Sequence, residues 1–235
     1  MLLVGRRGAP LVATARTCGP GTTVCPADVA EPTGRAAILA AARSGPPLQF
    51  LVHCAGIHPI EPFDGMTADA WRQTMATNVE ARLWLTRELL PCLAPGARVL
   101  FLGSRSATRA RIGGTAYCVA QAASFMLHEC LKAELAPRGA LVGSAIPSPT
   151  LTPMVEAQLA ADPAAYPDAA DYRELAAAGR FIAPETTARF LVWLLMDTTA
   201  DEFTAKEWRI TDESHHARWL GLASLWAAPL PSNRR

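Results

Sequence analysis

Lysine is almost absent from this chain. Of its 22 basic residues among 235, only Lys132 and Lys206 are lysine, and all the others are arginine. Any mechanism that requires a lysine can therefore be checked at two positions. A surplus of charge of one sign is lacking as well, because 22 basic and 21 acidic residues leave a formal net charge of +1. A clustered basic surplus is the usual mark of a nucleic-acid binder, so the composition argues against nucleic acid as a partner.

Paired cysteines and long apolar runs are also missing. The six cysteines are scattered without any C-x-x-C spacing, which is typical of a reduced, cytoplasmic protein without a zinc site. The adjacent His215 and His216 are not expected to bind a metal, since neighbouring side chains on a strand point apart. No stretch approaches the roughly 18 uninterrupted apolar residues of a membrane span. We therefore expect a soluble protein with no membrane partner and no metal.

The chain does contain a regular alternation of two kinds of segment. Short apolar runs such as "FLVHCAG" and "RVLFLGS" lack polar alternation, which is typical of parallel strands buried on both faces. Longer amphipathic segments separate these runs. The predicted strands are Leu2–Val4, Thr22–Cys25, Phe50–Cys54, Arg98–Leu102, Ala140–Ile146 and Trp208–Ile210, and the predicted helices cover 33–44, 68–93, 116–136 and 184–196.

This alternation predicts an α/β fold with a doubly wound, Rossmann-like parallel sheet. The length fits one domain over residues 1–222, followed by a tail at 223–235. The region at about 155–182 is rich in alanine, proline and aspartate and interrupts the alternation. We expect it to form short helices in a mobile flap that covers a substrate.

Several motifs, each weak alone, follow one another in a fixed order. Two dipeptides follow predicted strands, an asparagine lies within a long helix, and a serine ends a strand 13 residues before a tyrosine. These residues are Asp28-Val29, Ala55-Gly56, Asn78, Ser104 and Tyr117. Taken together, they resemble the short-chain dehydrogenase/reductase family, and the resemblance runs from about Leu2 to Ile210.

The resemblance implies an oxidoreductase that acts on a small carbonyl or alcohol. Tyr117 would be the general acid/base at the reacting oxygen, and Ser104 would hydrogen-bond to that oxygen. Asn78 would hold a water in the proton relay. The implied cofactor is NADP(H). Its binding residues would be Asp28 and Val29 at the adenine, Ala55 and Gly56 at the ribose, Pro147 and Thr152 at the nicotinamide, and Arg6 at a 2′-phosphate.

One departure from the family pattern concerns proton transfer. The family has a lysine one turn after the tyrosine, and this chain has Gln121, which can hydrogen-bond to a ribose but carries no charge. A free tyrosine titrates near pH 10, so tyrosinate is scarce at neutral pH without a nearby cation. Lys132 cannot substitute, since 15 residues of helix place it about 22 Å away. The loop arginines Arg105, Arg109 and Arg111 are expected to be solvated or to contact an acidic ligand.

A second departure lies at the start of the chain. The family opens with a strand and a glycine-rich turn that binds pyrophosphate at a helix N-terminus. Here "LLVGRR" is most similar to the family's second strand, which would leave the first strand, turn and helix absent. Alternatively, the segment is a collapsed first strand with Gly5 and Gly8 as the remnant of its turn. In both cases the phosphate-binding turn is missing or degraded, and loss of a central strand predicts a gap in the sheet.

Three functions remain open at this point. The first is the NADP(H)-dependent oxidoreductase, the second a non-redox dehydratase, isomerase or cyclase on the same scaffold, and the third a non-catalytic subunit. We expect a homo- or hetero-oligomer formed through helices 68–93 and 116–136. The substrate is expected to be largely apolar, because the flap region carries five apolar or aromatic residues: Met154, Leu159, Tyr166, Tyr172 and Phe181.

Overall fold

The computed structural model describes residues 1–147, 149–221 and 223–226. Strands alternate with helices over this length, as predicted, and within it no helix is both long and apolar enough to cross a membrane. The elements are β1 (Leu2–Gly5), α1 (Gly8–Cys18), β2 (Thr23–Pro26), α2 (Pro32–Arg43), β3 (Leu48–His53), α3 (Ala68–Met75), α4 (Ala81–Leu89), β4 (Leu93–Leu102), α5 (Thr115–Leu135), β5 (Leu141–Ile146), α6 (Pro153–Ala160), α7 (Ala169–Ala177), α8 (Pro184–Met196), α9 (Ala200–Ala205) and β6 (Glu207–Arg209).

All six predicted strands form, and every pairing between them is parallel, but they belong to two sheets. One sheet contains β1 and β2, and the other has the order β3-β4-β5-β6. A first strand in the centre of the sheet would pair on both sides, whereas β1 pairs only with β2 within the described residues. Within the described residues, β1 and β3 are therefore not paired with each other, and the two sheets are separate.

The two sheets share an apolar layer on one side, whereas the opposite face of β3 is partly exposed. Residues of β1 and β3, including Val4 and Leu51, pack against the same cluster, which contains Ile38 of α2 and Leu85 of α4. On its other face β3 leaves Phe50 and Val52 38% and 39% exposed. The expectation that β3 is buried on both faces is therefore wrong, because no described element covers that side.

The helices differ from prediction in three places. The helix predicted at 68–93 is divided, since a π-helical turn at Ala76–Glu80 separates α3 from α4, and Leu93 already belongs to β4. The helix α1 was not predicted; it has no buried residue and no side-chain N-cap. The short α9 was also not predicted, although Thr199 and Glu202 form a capping box at its start.

The largest core cluster joins α8, α9 and the sheet from β4 to β6. Phe190 is completely buried in it, and its ring centroid lies 5.3 Å from that of Trp219 and 5.5 Å from that of His215. The tail begins in the same core, because Leu225 is only 7% exposed, while residues 227–235 lie outside the described part. His215 is also hydrogen-bonded, with Nε2 3.0 Å from the carbonyl oxygen of Arg209. These contacts account for His215 without a metal.

We expect Phe190→Ala to lower the free energy of unfolding by about 3–5 kcal/mol, because it leaves a cavity in this core. Val192→Ala is the matched control on the same helix, since Val192 is 55% exposed. Urea denaturation followed by tryptophan fluorescence measures both. Equal effects of the two substitutions would contradict the assigned core.

Candidate active site

The predicted catalytic residues lie at the carboxyl ends of the strands in the larger sheet. Ser104 comes two residues after β4, and the loop that contains Ala55 and Gly56 follows β3 directly. Tyr117 is the third residue of α5, whose start the chain reaches from Ser104 through one short loop. The carboxyl ends of parallel strands meet at one edge of a sheet, which is where open α/β folds bind their ligands.

Asn78 fixes the loop after β3. It is completely buried within the π-helical turn, and such turns are frequent at functional sites. Its Oδ1 accepts a hydrogen bond from the Ile57 amide at 2.9 Å, and its Nδ2 donates to the Ile57 carbonyl at 2.8 Å. Both polar atoms of the side chain are therefore engaged with backbone, and Asn78 positions the segment that follows Ala55 and Gly56.

Ser104 and Tyr117 lie near one another at this edge of the sheet. Burial raises the pKa of the Tyr117 hydroxyl, while hydrogen bonding by Ser104 and the charge of Arg82 oppose that increase. The Ser104 Oγ also accepts a hydrogen bond from the Ser106 amide at 3.2 Å, which fixes its orientation. Because the pKa is raised on balance, Tyr117 carries its proton at neutral pH and is suited to donate it.

Sequence reasoning missed His58, which stacks on the tyrosine. The two rings lie 4.0 Å apart between centroids with an angle of 15°. The His58 Nδ1 lies 2.7 Å from Nε2 of Gln158 in α6, and the buried Nε2 has no hydrogen-bond partner among the described residues. Burial, with a smaller effect of Arg111, lowers the pKa of His58 to about 4. His58 is therefore neutral at pH 7, with one ring nitrogen free to meet a ligand.

The predicted flap consists of α6, α7 and the turns that flank them. Tyr166 is completely buried and packs edge-on against His58 at 5.7 Å. Asp168 forms an ion pair with Arg111, whose side chain is only 6% exposed. A Cβ on Gly113, which has φ +71°, would lie 2.2 Å from the carbonyl oxygen of Ala165. The flap is thus in close contact with the loop that leads into α5.

The loop arginines are only partly as expected. Arg109 is about half exposed and lies near Asp168, which fits a solvated loop charge. Arg111 is different, since it is buried, ion-paired and hydrogen-bonded through Nε to Ser106 at 2.8 Å. A cleft of about 360 Å³ opens beside them, lined in part by Arg105, Arg109, Arg111 and Arg180.

A second buried arginine, Arg82 of α4, was also missed. It is 4% exposed, and its guanidinium donates to the Leu102 carbonyl at 3.0 Å and to the Ser124 hydroxyl at 2.7 Å. Burial lowers its pKa to about 10, so it remains charged at pH 7. Gln121 is equally buried, and its Oε1 has no hydrogen-bond partner in the described structure.

The residues predicted to bind the adenosine end lie at the ends of β1 and β2. Arg6 Nη1 is 3.9 Å from Asp28 Oδ2, and Asp28 Oδ1 accepts from the Ala30 amide at 3.0 Å. The Val29 carbonyl accepts from Arg35 at 3.1 Å, so a buried cation holds this loop in place. Arg6 and Asp28 therefore lie on one side of the interruption between β1 and β3, and Ala55 lies on the other side.

The residues predicted at the nicotinamide end lie after β5. Pro147 follows the strand directly, and its carbonyl accepts a hydrogen bond from the Thr150 hydroxyl. Thr152 caps α6, because its Oγ1 accepts from the Val155 amide at 3.4 Å. Ser148, which stands where the family pattern has glycine, lies outside the described residues.

Parallel strands that alternate with helices, with a serine and a tyrosine at the carboxyl edge of the larger sheet, define a Rossmann-like α/β protein. The family model described as short chain dehydrogenase matches residues 1–163, which is more than half of the chain. The chain belongs to the short-chain dehydrogenase/reductase family.

The relatives of this chain include a dehydrogenase and a reductase. The chain is 32% identical over 162 residues to galactitol 2-dehydrogenase (L-tagatose-forming) of Cereibacter sphaeroides, a match that covers 66% of this chain and 63% of that enzyme. It is 26% identical to L-xylulose reductase of Bos taurus over 85% of this chain and 80% of the relative.

Solved structures agree with the fold. A short-chain dehydrogenase/reductase from Saccharomyces cerevisiae matches with a TM-score of 0.82 at 18% identity, over 93% of this chain and 88% of that one. L-sorbose reductase from Gluconobacter frateurii, complexed with NADPH and L-sorbose, matches with a TM-score of 0.77 at 25% identity, over 88% and 84% of the two chains.

Because the pKa of His58 is lowered in the folded protein, we expect the free energy of unfolding to depend on pH in the acidic range. Between pH 6.5 and about 4 the unfolded chain binds a proton at this position and the folded chain does not, so stability falls as the pH falls through this range. His58→Phe keeps a ring against Tyr117 but cannot be protonated. We expect the variant to lose less stability than the wild type between pH 7 and pH 4.5, by on the order of 2 kcal/mol.

Urea denaturation at a series of pH values measures this difference. The internal control is the range above pH 7, where the two proteins should show the same dependence because His58 is neutral in both states. If the free energy of unfolding of the two proteins fell equally with pH below pH 6.5, His58 would not be buried as described.

Proposed function

We propose that this protein is an NADP(H)-dependent oxidoreductase of a small carbonyl or alcohol, with Tyr117 as the acid/base. The observation that carries the proposal is the buried Tyr117 hydroxyl close to Ser104, in a chain of this family. The family relationship supports the redox chemistry, since the named relatives are dehydrogenases and reductases.

The proposed reduction requires two contributions from the chain. The Ser104 hydroxyl donates a hydrogen bond to the carbonyl oxygen, which polarises the carbon–oxygen bond and stabilises the negative charge that develops on the oxygen. The Tyr117 hydroxyl then donates its proton to that oxygen. A bound dihydronicotinamide supplies the hydride to the carbon. Burial raises the pKa of Tyr117, so the proton donor persists through neutral pH and reduction is favoured over alcohol oxidation there.

The residues present fit the two ends of NADP(H). At one end the guanidinium of Arg6, more than half exposed, suits a 2′-phosphate beside Asp28 and Val29, while Ala55 and Gly56 allow close backbone approach to a ribose. At the other end the orphaned Oε1 of Gln121 suits a ribose hydroxyl near Pro147 and Thr152. The relative from Gluconobacter frateurii was solved with NADPH, which supports the same cofactor here.

A non-redox function on the same scaffold is the second candidate. The interruption between β1 and β3 favours it, because the described residues contain no glycine-rich turn at the position where this fold binds pyrophosphate. Ser104 and Tyr117 can polarise a carbonyl without hydride transfer. Nicotinamide binding separates the two candidates, and a chain that binds neither cofactor nor substrate would be a non-catalytic subunit.

An unsatisfied polar atom at the site favours a hydroxylated substrate over a purely apolar one. The buried Nε2 of His58, whose ring stacks on Tyr117, lacks a partner in the described structure. An apolar ligand would leave this nitrogen unsatisfied, which costs about 1–3 kcal/mol. We therefore propose a small hydroxy-carbonyl compound, in line with the names of the relatives, rather than the apolar ligand expected from the flap residues.

Assembly through the predicted helices remains a proposal. On α5 the side chains of Val119 and Met126 are 42% and 58% exposed, which leaves apolar surface for a second chain on that helix. The divided helix that ends at Leu89 would form the other part of this interface.

We expect the protein to bind NADPH more tightly than NADH and Arg6→Ala to reduce that preference about tenfold or more, because a charged hydrogen bond to phosphate is lost. Quenching of tryptophan fluorescence during nicotinamide titration measures both affinities. Arg7→Ala is the control, since Arg7 is exposed and makes no ion pair in the described structure. Absence of binding by either nucleotide would overturn the redox proposal.

We expect Tyr117→Phe and Ser104→Ala each to reduce NADPH-dependent turnover of a small hydroxyketone by about a hundredfold or more, since each removes a group that acts on the reacting oxygen. NADPH affinity and the free energy of unfolding serve as controls and should change little. Full activity in Tyr117→Phe would exclude Tyr117 as the proton donor.

A further inference from the structure

Arg82 is a buried cation without an acidic partner. Its side chain is 4% exposed, and no carboxylate of the described residues lies within ion-pairing distance of it. Its hydrogen bonds go to one carbonyl and one hydroxyl, both uncharged, and its Nε has no partner in the described structure. An uncompensated buried charge costs several kcal/mol, so its presence calls for a functional reason.

The two groups that Arg82 contacts belong to the elements that carry the reacting pair. Leu102 ends β4 two residues before Ser104, and Ser124 lies on α5 seven residues after Tyr117. Positions 117, 121 and 124 share one face of a helix, because residues spaced by three and four are neighbours there. Arg82 therefore lies against the same face of α5 that presents Tyr117 and Gln121.

A helical side chain points toward the N-terminus of its own helix. For Arg82 this direction leads to Asn78, one turn earlier, which holds the loop after β3. Within the described structure, the buried Nε of Arg82 and the buried Oε1 of Gln121 are a donor and an acceptor without partners, on two helices that the Arg82–Ser124 hydrogen bond connects.

We propose that Arg82 is the positioning cation for Tyr117, supplying from α4 the positive charge that the family supplies from a lysine at the position of Gln121. The proposal rests on the proposed proton transfer at Tyr117, and it assigns to a residue on another helix the electrostatic part of that step. Gln121 keeps the hydrogen bond to a ribose. In this arrangement the two functions of one lysine are divided between two residues.

The other charged or titratable groups around Tyr117 cannot supply this charge. Arg111 acts in the same direction but more weakly than Arg82, and it is neutralised by Asp168. His58 is neutral at pH 7, and Tyr172 acts in the opposite direction. The groups nearest Arg82 itself are His53, whose pKa burial lowers to about 3, and Cys54. Lys132 is paired with Glu129 at 3.0 Å.

The test measures the ionisation of Tyr117 in the protein without any cofactor. Replacing Tyr117 by 3,5-difluorotyrosine makes the phenol more acidic, so it titrates within the pH range where the protein stays folded, and fluorine NMR observes that one residue. We expect Arg82→Gln to raise the titration midpoint by about one pH unit, because a nearby positive charge is removed. We expect Arg82→Lys to stay near the wild-type midpoint.

Arg98→Gln is the matched control. Arg98 also donates to a hydroxyl, that of Thr198 at 3.0 Å, and to the backbone carbonyls of Leu194 at 2.8 Å and Thr198 at 2.6 Å, but these partners belong to α8 and the turn after it. If Arg82 had only a structural role, the two glutamine variants would change stability equally. Neither variant would then change the titration midpoint at position 117. Our proposal predicts a shift in Arg82→Gln alone, and its reversal in the double variant Arg82→Gln with Gln121→Lys.

An unchanged midpoint in Arg82→Gln would overturn the proposal. If this variant does not fold, Arg82→Met decides in the same way, since it keeps most of the side-chain volume without the charge. Because the titration needs no nucleotide, it is independent of the redox proposal. A protein that shows the shift but binds no NADPH would retain Arg82 as the positioning residue for a non-redox acid/base.

Discussion

The active site depends on two buried polar side chains one helical turn apart, Asn78 and Arg82. Asn78 uses both atoms of its amide to hold the backbone of Ile57, and Arg82 connects the end of β4 to α5. Each bond is made in the interior, where an unpaired polar group is costly, so the three elements have few other arrangements. The π-helical turn that carries Asn78 changes the register of the helix between α3 and α4 and contributes to this placement. Ser104, Tyr117 and the loop after β3 are consequently held at one edge of the sheet.

The scarcity of lysine matters most at Gln121, where the family has a lysine. A lysine one turn after the tyrosine would provide both a charge and a hydrogen bond from one position. Here the hydrogen-bonding group remains at Gln121, while the nearest buried charge comes from a different helix. Arginine suits that location because its guanidinium stays protonated when buried and can bond to two elements at once. The pKa of Tyr117 still lies above its ordinary value, because the desolvation of the hydroxyl outweighs the attraction of Arg82.

The strands could be predicted because short-range signals determine them. Apolar runs such as those in β3 and β4 indicate strands, and the spacing of Ser104 and Tyr117 supplied the hypothesis for the site. His58 and Arg82 could not be found in the same way. A histidine in a loop and an arginine in a helix look like ordinary surface residues until the fold buries them. Their importance comes from contacts over long separations, such as that of Arg82 with Ser124 and that of His58 with Gln158. The helix α1 was also missed; it buries no residue and no side chain caps its start.

Two functions of the family's fold meet at the position between β1 and β3, where the sheet of this chain is interrupted. A central strand connects the two halves of the sheet, and the turn after it binds the diphosphate of the cofactor. In this chain the apolar layer around Ile38 and Leu85 still joins the halves on one side, so the fold does not need strand pairing there to place Arg6 and Asp28. Ser104 follows β4 and Tyr117 lies on α5, so these two residues are positioned by the larger sheet, by α5 and by the contacts of Asn78 and Arg82, without any pairing of β1 with β3.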